Sequence, residues 1–178
     1  MDDSNPVILL DVDGPLNPWS ARNGLPEGFT EHFTRPRGWE TGKPLKVRLR
    51  GTDGFRLMAT GCEIIWATAW EEEANDWIGC HIGLPKLPHI DWPDKNNWST
   101  EKLHWKTRRI VAWMNENRPG IPFIWIDDEV TRRDRDWIAE TCAPGSRILL
   151  VSPKFGLEEG HFEEITEWKD DVVGKQCK

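Results

Sequence analysis

Four aspartates stand directly behind short apolar runs. Asp11 and Asp13 follow Val7–Leu10, and Asp127 and Asp128 follow residues 123–126. Thr68 has the same relation to residues 64–67, and lysines come later at Lys102 and Lys106. In an open parallel sheet, ligands bind outside the carboxyl ends of the strands, so these side chains are placed to meet at one edge. Aspartate also ends strands because it makes good turns and helix caps. Turn chemistry does not account for the same residue type on several strands together with a threonine and a lysine. Carboxylates gathered at one edge repel each other unless a cation sits among them. A hard divalent ion such as Mg²⁺, held by a few carboxylate oxygens, waters and a substrate phosphate, is the economical solution. Asp11 and Asp13, two residues apart in an extended segment, leave the chain on the same side.

The elements that must position these groups are legible in the apolar pattern. Residues 7–10, 64–67, 123–126 and 148–151 are short continuous apolar runs, bounded by turn residues, and read as strands buried on both faces. Helical stretches are predicted between and after them. One covers residues 71–78, opening on three glutamates that suit the positive end of a helix. A longer one, capped by Ser99 or Thr100, runs to about Asn117, and others cover Arg132–Thr141 and residues 159–168. Buried strands alternating with helices predict an α/β sandwich around a mainly parallel sheet. Residues 17–56 are too long for an ordinary crossover. Within them Leu45, Val47 and Leu49 alternate with Lys46, Arg48 and Arg50, a period of two that predicts a strand with one basic face. The segment reads as a β-flap inserted after the first strand. The proline-punctuated stretch 83–97 has room for a short strand near residues 89–92.

With the motifs in order, the chain carries a resemblance. Asp11-Val12-Asp13-Gly14-Pro15-Leu16-Asn17 resembles motif I of the haloacid dehalogenase (HAD) superfamily, an apolar strand followed by DxDGxxN. The strand ending in Thr68 resembles its second motif, a lysine near a helix start its third, and Trp125-Ile126-Asp127-Asp128-Glu129 its acidic fourth. More narrowly, ATAWEEEAN, Trp105-Lys106, WIDDE and GLxxxHFxxITEW resemble the HAD domain of Swiss Army Knife RNA-repair proteins. The resemblance implies a single HAD-like three-layer sandwich over residues 1–178, with the flap at about 17–56. It implies a phosphatase in which Asp11 attacks phosphorus to form an aspartyl-phosphate. Asp13 is then the general acid for the leaving alcohol and the base for the attacking water. Mg²⁺ is held by Asp11, the Asp13 backbone carbonyl and Asp128, with Asp127 acting through water. Thr68 binds a phosphoryl oxygen, and a lysine balances the charge of the transferring group. Lys102 and Lys106 are i and i+4 and share a helix face, so either fits. Trp105-Lys106 matches the narrower family better and favours Lys106. Pro15 departs from the family pattern and removes one backbone donor, leaving the Asp13 and Gly14 amides for phosphate. Asn17 either fixes this loop or is a turn residue.

Composition narrows the function classes. A net charge of −7 over 178 residues argues against a protein that coats nucleic acid. The charge is uneven: Arg35, Arg37, Lys43, Lys46, Arg48 and Arg50 face Glu40 alone within residues 35–50, which suggests an anionic ligand near the flap. The apolar runs are far too short for a membrane span, and the acidic start does not read as a signal peptide. Four cysteines without a CxxC spacing fit a reducing, cytoplasmic protein. The five histidines show no metal spacing, and there is no P-loop. The expectation is a Mg²⁺-dependent phosphomonoesterase acting on a phosphorylated nucleic-acid end or nucleotide. Two alternatives stand beside it: a nucleic-acid-binding module working through the basic flap, and a small-metabolite phosphatase. Twelve tryptophans and no tyrosine remain. Trp66 and Trp125 read as strand core, whereas Trp19, Trp39 and Trp70 are placed to stack on a base.

Overall fold

In a computed structural model of the chain, residues 5–22, 24–37, 41–93 and 103–176 are described. Along them run β1 (Val7–Leu10), β2 (Thr30–Thr34), β3 (Leu45–Leu49), α1 (Asp53–Ala59) and β4 (Glu63–Trp66). A π-helical segment, Asn75–Gly79, continues into the single turn α2 (Cys80–Ile82). Then come α3 (Thr107–Asn117), β5 (Phe123–Asp127), α4 (Arg132–Thr141), β6 (Arg147–Leu150) and α5 (Glu159–Gln176).

Every residue of β1 and β5 is buried, as continuous apolar runs require of strands covered on both faces. The sheet has the order β4-β1-β5-β6, and all three pairings are parallel. Alternate side chains feed two separate cores. Ile8, Leu10, Trp66 and Ile126 pack with Leu57 of α1, Ile78, Ile82 and the inner face of α5. Val7, Leu9, Ile65 and Trp125 pack with Ile110 and Met114 of α3 and Ile138 of α4. Helices on both faces make the three layers of a HAD-like sandwich.

The flap is an antiparallel hairpin of β2 and β3, paired from Thr30↔Leu49 to Thr34↔Leu45. The segment predicted as insertion, 17–56, ends inside α1. Leu57 of this helix is fully buried, so α1 is the crossover that feeds β4, and the hairpin is inserted ahead of it. The helix predicted over 71–78 is displaced. Glu71 has φ 50°, a left-handed conformation that stops a helix from starting there. Asn75 instead anchors the π-helical segment: its carbonyl accepts from the Trp66 indole and the Leu87 amide, and its amide donates to the Leu87 carbonyl. The stretch near residues 89–92 adds to the sheet edge through one bridge, Trp66↔His89. α3 starts at Thr107, whereas Ser99 and Thr100, the predicted caps, lie outside the described residues. α5 runs on past Trp168 to Gln176.

Candidate active site

Register brings the strand ends level. Leu10 is paired with both Trp66 and Ile126, so Asp11, the Ala67–Thr68 step and Asp127 emerge side by side. The hydrogen bonds continue into the loops, from the Asp11 amide to the Ile126 carbonyl at 3.0 Å and from the Ala67 amide to the Leu10 carbonyl at 2.8 Å. The aspartates are therefore fixed by the same ladder that holds the sheet. At this edge lies a cavity of about 420 Å³ bordered by Asp11, Asp13, Trp19, Trp105, Lys106 and Asp128.

Lys106, at the N-terminal boundary of α3, reaches into the edge. Its Nζ stands 2.8 Å from Asp11 Oδ2 and 2.8 Å from Asp127 Oδ2, with only 4% of the side chain exposed. Burial opposes its charge, but the two carboxylates outweigh burial and push it up to about 12. Asp11 is pushed the other way for an acid. Burial, reinforced by Asp127 and Asp13, outweighs the attraction of Lys106 and raises it to about 8. Asp128 is raised to about 6 by burial and by its neighbours Asp127 and Glu129, against the Trp19 hydrogen bond that lowers it. Ligand atoms of Asp11, Asp127 and Asp128 all lie within 4.8 Å of one another. One ammonium against three carboxylates leaves negative charge in excess, which adds to burial in raising Asp11 and Asp128. A hard divalent cation fits that donor set. Asp127 has both oxygens engaged, Oδ2 by Lys106 and the Trp125 indole and Oδ1 by the Glu129 amide. Asp128 has no lysine partner among the described residues and accepts one side-chain bond, from Trp19 to Oδ2 at 3.2 Å, which makes it the more available direct ligand.

Asp13 is held from two sides. Asn17 Nδ2 donates to Oδ1 at 2.7 Å, and Trp70 Nε1 donates to Oδ2 at 2.9 Å. Asn17 Oδ1 in turn accepts the Arg48 backbone amide at 2.9 Å, so this buried residue couples the flap to Asp13. It therefore acts within the protein as a brace. The Gly14 amide, expected to be free for phosphate, donates to the Asn17 carbonyl at 2.9 Å. What Gly14 contributes is space. With φ 94°, a Cβ here would lie 2.3 Å from Asp128 Cγ. Thr68 is buried beside these groups, and its carbonyl accepts the Trp92 indole at 2.7 Å.

The basic flap strand does not face this cavity. Lys46 pairs with Glu31 at 2.8 Å, and Arg48 donates to the carbonyls of Pro18 and Ala21. Arg50 pairs with buried Asp53 and donates to the Leu157 carbonyl. Lys46 ties the two flap strands together, Arg48 and Arg50 fasten the hairpin to the body, and none of the three borders the cavity at the catalytic edge. The alternation in sequence showed a basic face but not the acids and carbonyls waiting for it. Lys102 and Trp39 lie outside the described residues. Trp19 and Trp70, read as stacking candidates, present their indole N–H groups to the site carboxylates.

Sequence reading overlooked Asp134. Its Oδ1 accepts from the His104 amide and Thr107 Oγ1, and its Oδ2 from the amide and hydroxyl of Thr131. Burial works to raise this acid, but the hydrogen bonds hold it below the usual carboxylate range. Asp134 thus ties the turn carrying Lys106 to the start of α4. Its signal in the sequence was the capping-box spacing Thr131-x-x-Asp134.

Sheet order, helices on both faces and an aspartate-lysine cluster at the carboxyl edge define a HAD-type α/β hydrolase fold. The chain belongs to the family described as the HAD domain in Swiss Army Knife RNA repair proteins, whose family model matches residues 7–162. Membership supports a hydrolase of the phosphatase type. Searches of curated proteins and of solved structures gave no significant match. Among the described residues no helix is long and apolar enough to cross a membrane.

Proposed function

We propose that the protein is a Mg²⁺-dependent phosphomonoesterase that works through an aspartyl-phosphate on Asp11, with a phosphorylated nucleic-acid end or nucleotide as substrate. The observation that carries this reading is Lys106, buried and 2.8 Å from both Asp11 and Asp127. A buried cation at that distance favours the ionised form of Asp11 that a nucleophile needs, against the burial that opposes it, and stands where the charge of a transferring phosphoryl group needs compensation. Asp11, Asp128 and the backbone around Asp13 would hold the ion, with Asp127 behind them. Bound there, Mg²⁺ supplies positive charge to the phosphoryl oxygens and to the acids around it.

The residues divide the work as follows. An Asp11 oxygen forms a bond to phosphorus as the bond from phosphorus to the ester oxygen breaks, and Asp13 delivers a proton to the departing alcohol. Asp13 then takes a proton from water, whose oxygen attacks phosphorus and releases Asp11 and inorganic phosphate. Asn17 and Trp70 hold Asp13 for both steps, and each of its oxygens keeps a second lone pair for the proton. Thr68 offers its hydroxyl to a phosphoryl oxygen. The nucleic-acid side of the reading is supported by the family to which the chain belongs.

Purified protein with Mg²⁺ is expected to hydrolyse an aryl phosphate and to lose this activity with Asp11→Asn at unchanged thermal stability or better. Stability holds because the substitution removes a buried acid whose charge is unfavourable. No turnover by wild type on aryl, nucleotide and oligonucleotide phosphates would falsify the reading.

A further inference from the structure

Beside the catalytic edge lie two cavities of opposite character. One, of about 580 Å³, has Asp13, Glu71, Glu72, Glu73 and Asp91 in its lining. Its arginine, Arg37, is already paired with Glu72 and Glu73. The other, of about 400 Å³, has Arg22 and Lys154 in its lining and no acid. Both cations are exposed, and neither has an ion-pair partner among the described residues. Phe155, 53% exposed, and Leu25, 42% exposed, add apolar faces beside them.

This second cavity is built onto the loop of the nucleophile. The Ser20 amide donates to the Pro153 carbonyl at 3.1 Å, and the Leu157 amide to the Pro15 carbonyl at 2.8 Å. Gly156 allows that approach, since a Cβ there would lie 2.9 Å from the Pro15 carbonyl oxygen. Trp19, next in sequence to Ser20, is 54% exposed and borders the cavity holding Asp11, Asp13, Lys106 and Asp128. An exposed indole thus separates the reacting carboxylates from a basic, aromatic cavity of the size a nucleotide fills.

We propose that this cavity is the docking site for a single-stranded nucleic acid whose terminal phosphate lies on Asp11. Arg22 and Lys154 pair with the sugar-phosphate backbone, and Phe155 and Trp19 offer faces on which unpaired bases stack. A polyanion is repelled from the other cavity by its carboxylates, so charge alone sets the direction in which the strand leaves. The flap strand, with its cations already paired, takes no part. The assignment rests on the phosphatase reading for its orientation but concerns residues outside that chemistry.

The test uses the full chain with Arg22→Glu/Lys154→Glu and, separately, Phe155→Ala. Activity is measured on an aryl phosphate and on short single-stranded oligonucleotides phosphorylated at the 3′ or 5′ end. Binding of the same fluorescent oligonucleotides, with and without the phosphate, is followed by anisotropy across salt concentrations. The double variant is expected to lose at least about tenfold in oligonucleotide kcat/KM and affinity, with unchanged aryl phosphate turnover. Its salt dependence should be shallower by about 0.7 in log–log slope for each phosphate no longer neutralised. Phe155→Ala should weaken oligonucleotide binding roughly fivefold or more, without changing the salt slope. Equal losses on both substrates, or unchanged oligonucleotide binding, overturn the proposal. Wild type that cleaves aryl phosphate and mononucleotides but neither binds nor cleaves oligonucleotides overturns it and leaves the phosphatase reading standing. Wild type that binds oligonucleotides through Arg22 and Lys154 but cleaves nothing sinks the phosphatase reading alone.

Discussion

Lys106 and Arg48 both lie against the loop that follows β1, and they act on it differently. Lys106 is buried between Asp11 and Asp127, in a cluster where Asp128 still leaves negative charge in excess. Arg48 spreads its guanidinium over the carbonyls of Pro18 and Ala21 and gives its backbone amide to Asn17. The other cations of the flap's basic face are likewise taken up, Lys46 by Glu31 and Arg50 by Asp53. A charge contributes to binding or catalysis when burial or geometry leaves it incompletely compensated. One that is matched by its neighbours contributes to folding. The same residue types therefore make a reactive edge at the sheet and a fastener at the flap.

The comparison breaks most sharply at Lys106. Lys106→Met removes the cation from two buried carboxylates, so activity should fall by at least about 10²-fold. Stability should fall by about 3–5 kcal/mol unless a divalent ion is present to replace the charge. Steady-state kinetics and thermal unfolding with and without Mg²⁺ check this; an active, unaltered variant would show that the edge is no different from the flap. Gly14→Ala should come next. The added methyl meets Asp128 and sits at a left-handed φ, costing about 1–2 kcal/mol, and the displaced carboxylate should weaken Mg²⁺ binding. Calorimetric titration with Mg²⁺ reads that loss directly, and unchanged affinity would remove Asp128 from the ligand set.

A smaller effect follows from the raised acids. Between the ordinary carboxylate value of 3.8 and the raised values of about 8 for Asp11 and about 6 for Asp128, the folded chain binds more protons than the unfolded one. Stability without metal should therefore fall as pH rises through that window. Mg²⁺ binding competes with those protons, so the rise in Tm on adding Mg²⁺ should be larger at about pH 8 than at about pH 5. A rise that is flat or reversed with pH would mean that these carboxylates do not hold the ion. The smallest effect is expected at Lys46→Glu. Its partner Glu31 is surface-exposed enough that the pair is worth about 1 kcal/mol or less, and aryl phosphate and oligonucleotide kinetics should stay within about twofold. A selective rise in oligonucleotide KM would restore the flap as a substrate-binding face.

The four sheet strands, the hairpin strand Leu45–Leu49, α4 and the aspartate positions were legible in sequence because each rests on local pattern, although β6, at the sheet edge, leaves Leu150 exposed rather than buried on both faces. A continuous apolar run must be covered on both faces, and an aspartate behind it must leave at the sheet edge. Residues 71–78 were misread because three glutamates suit a helix start, whereas Asn75, bonded to Trp66 and Leu87, sets the π-helical segment through bonds to residues distant in sequence. The tryptophans show the same division. Trp66 and Trp125 were recognisable as core from the runs that contain them. That Trp19 and Trp70 donate to Asp128 and Asp13 depends on loops brought together by the fold.

By itself the amino-acid sequence determined the class of fold, the order of the motifs and the identity of the acids at the sheet edge, since these follow from periodicity and residue type. Tertiary structure decided which cations are matched and which are available. Lys106 was drawn into the site, and the flap's basic face was matched to Glu31, Asp53 and backbone carbonyls. Arg22 and Lys154 were left without ion-pair partners among the described residues. The reason is physical: the strength of a charge depends on its burial and on its neighbours in space, and neither is written along the chain.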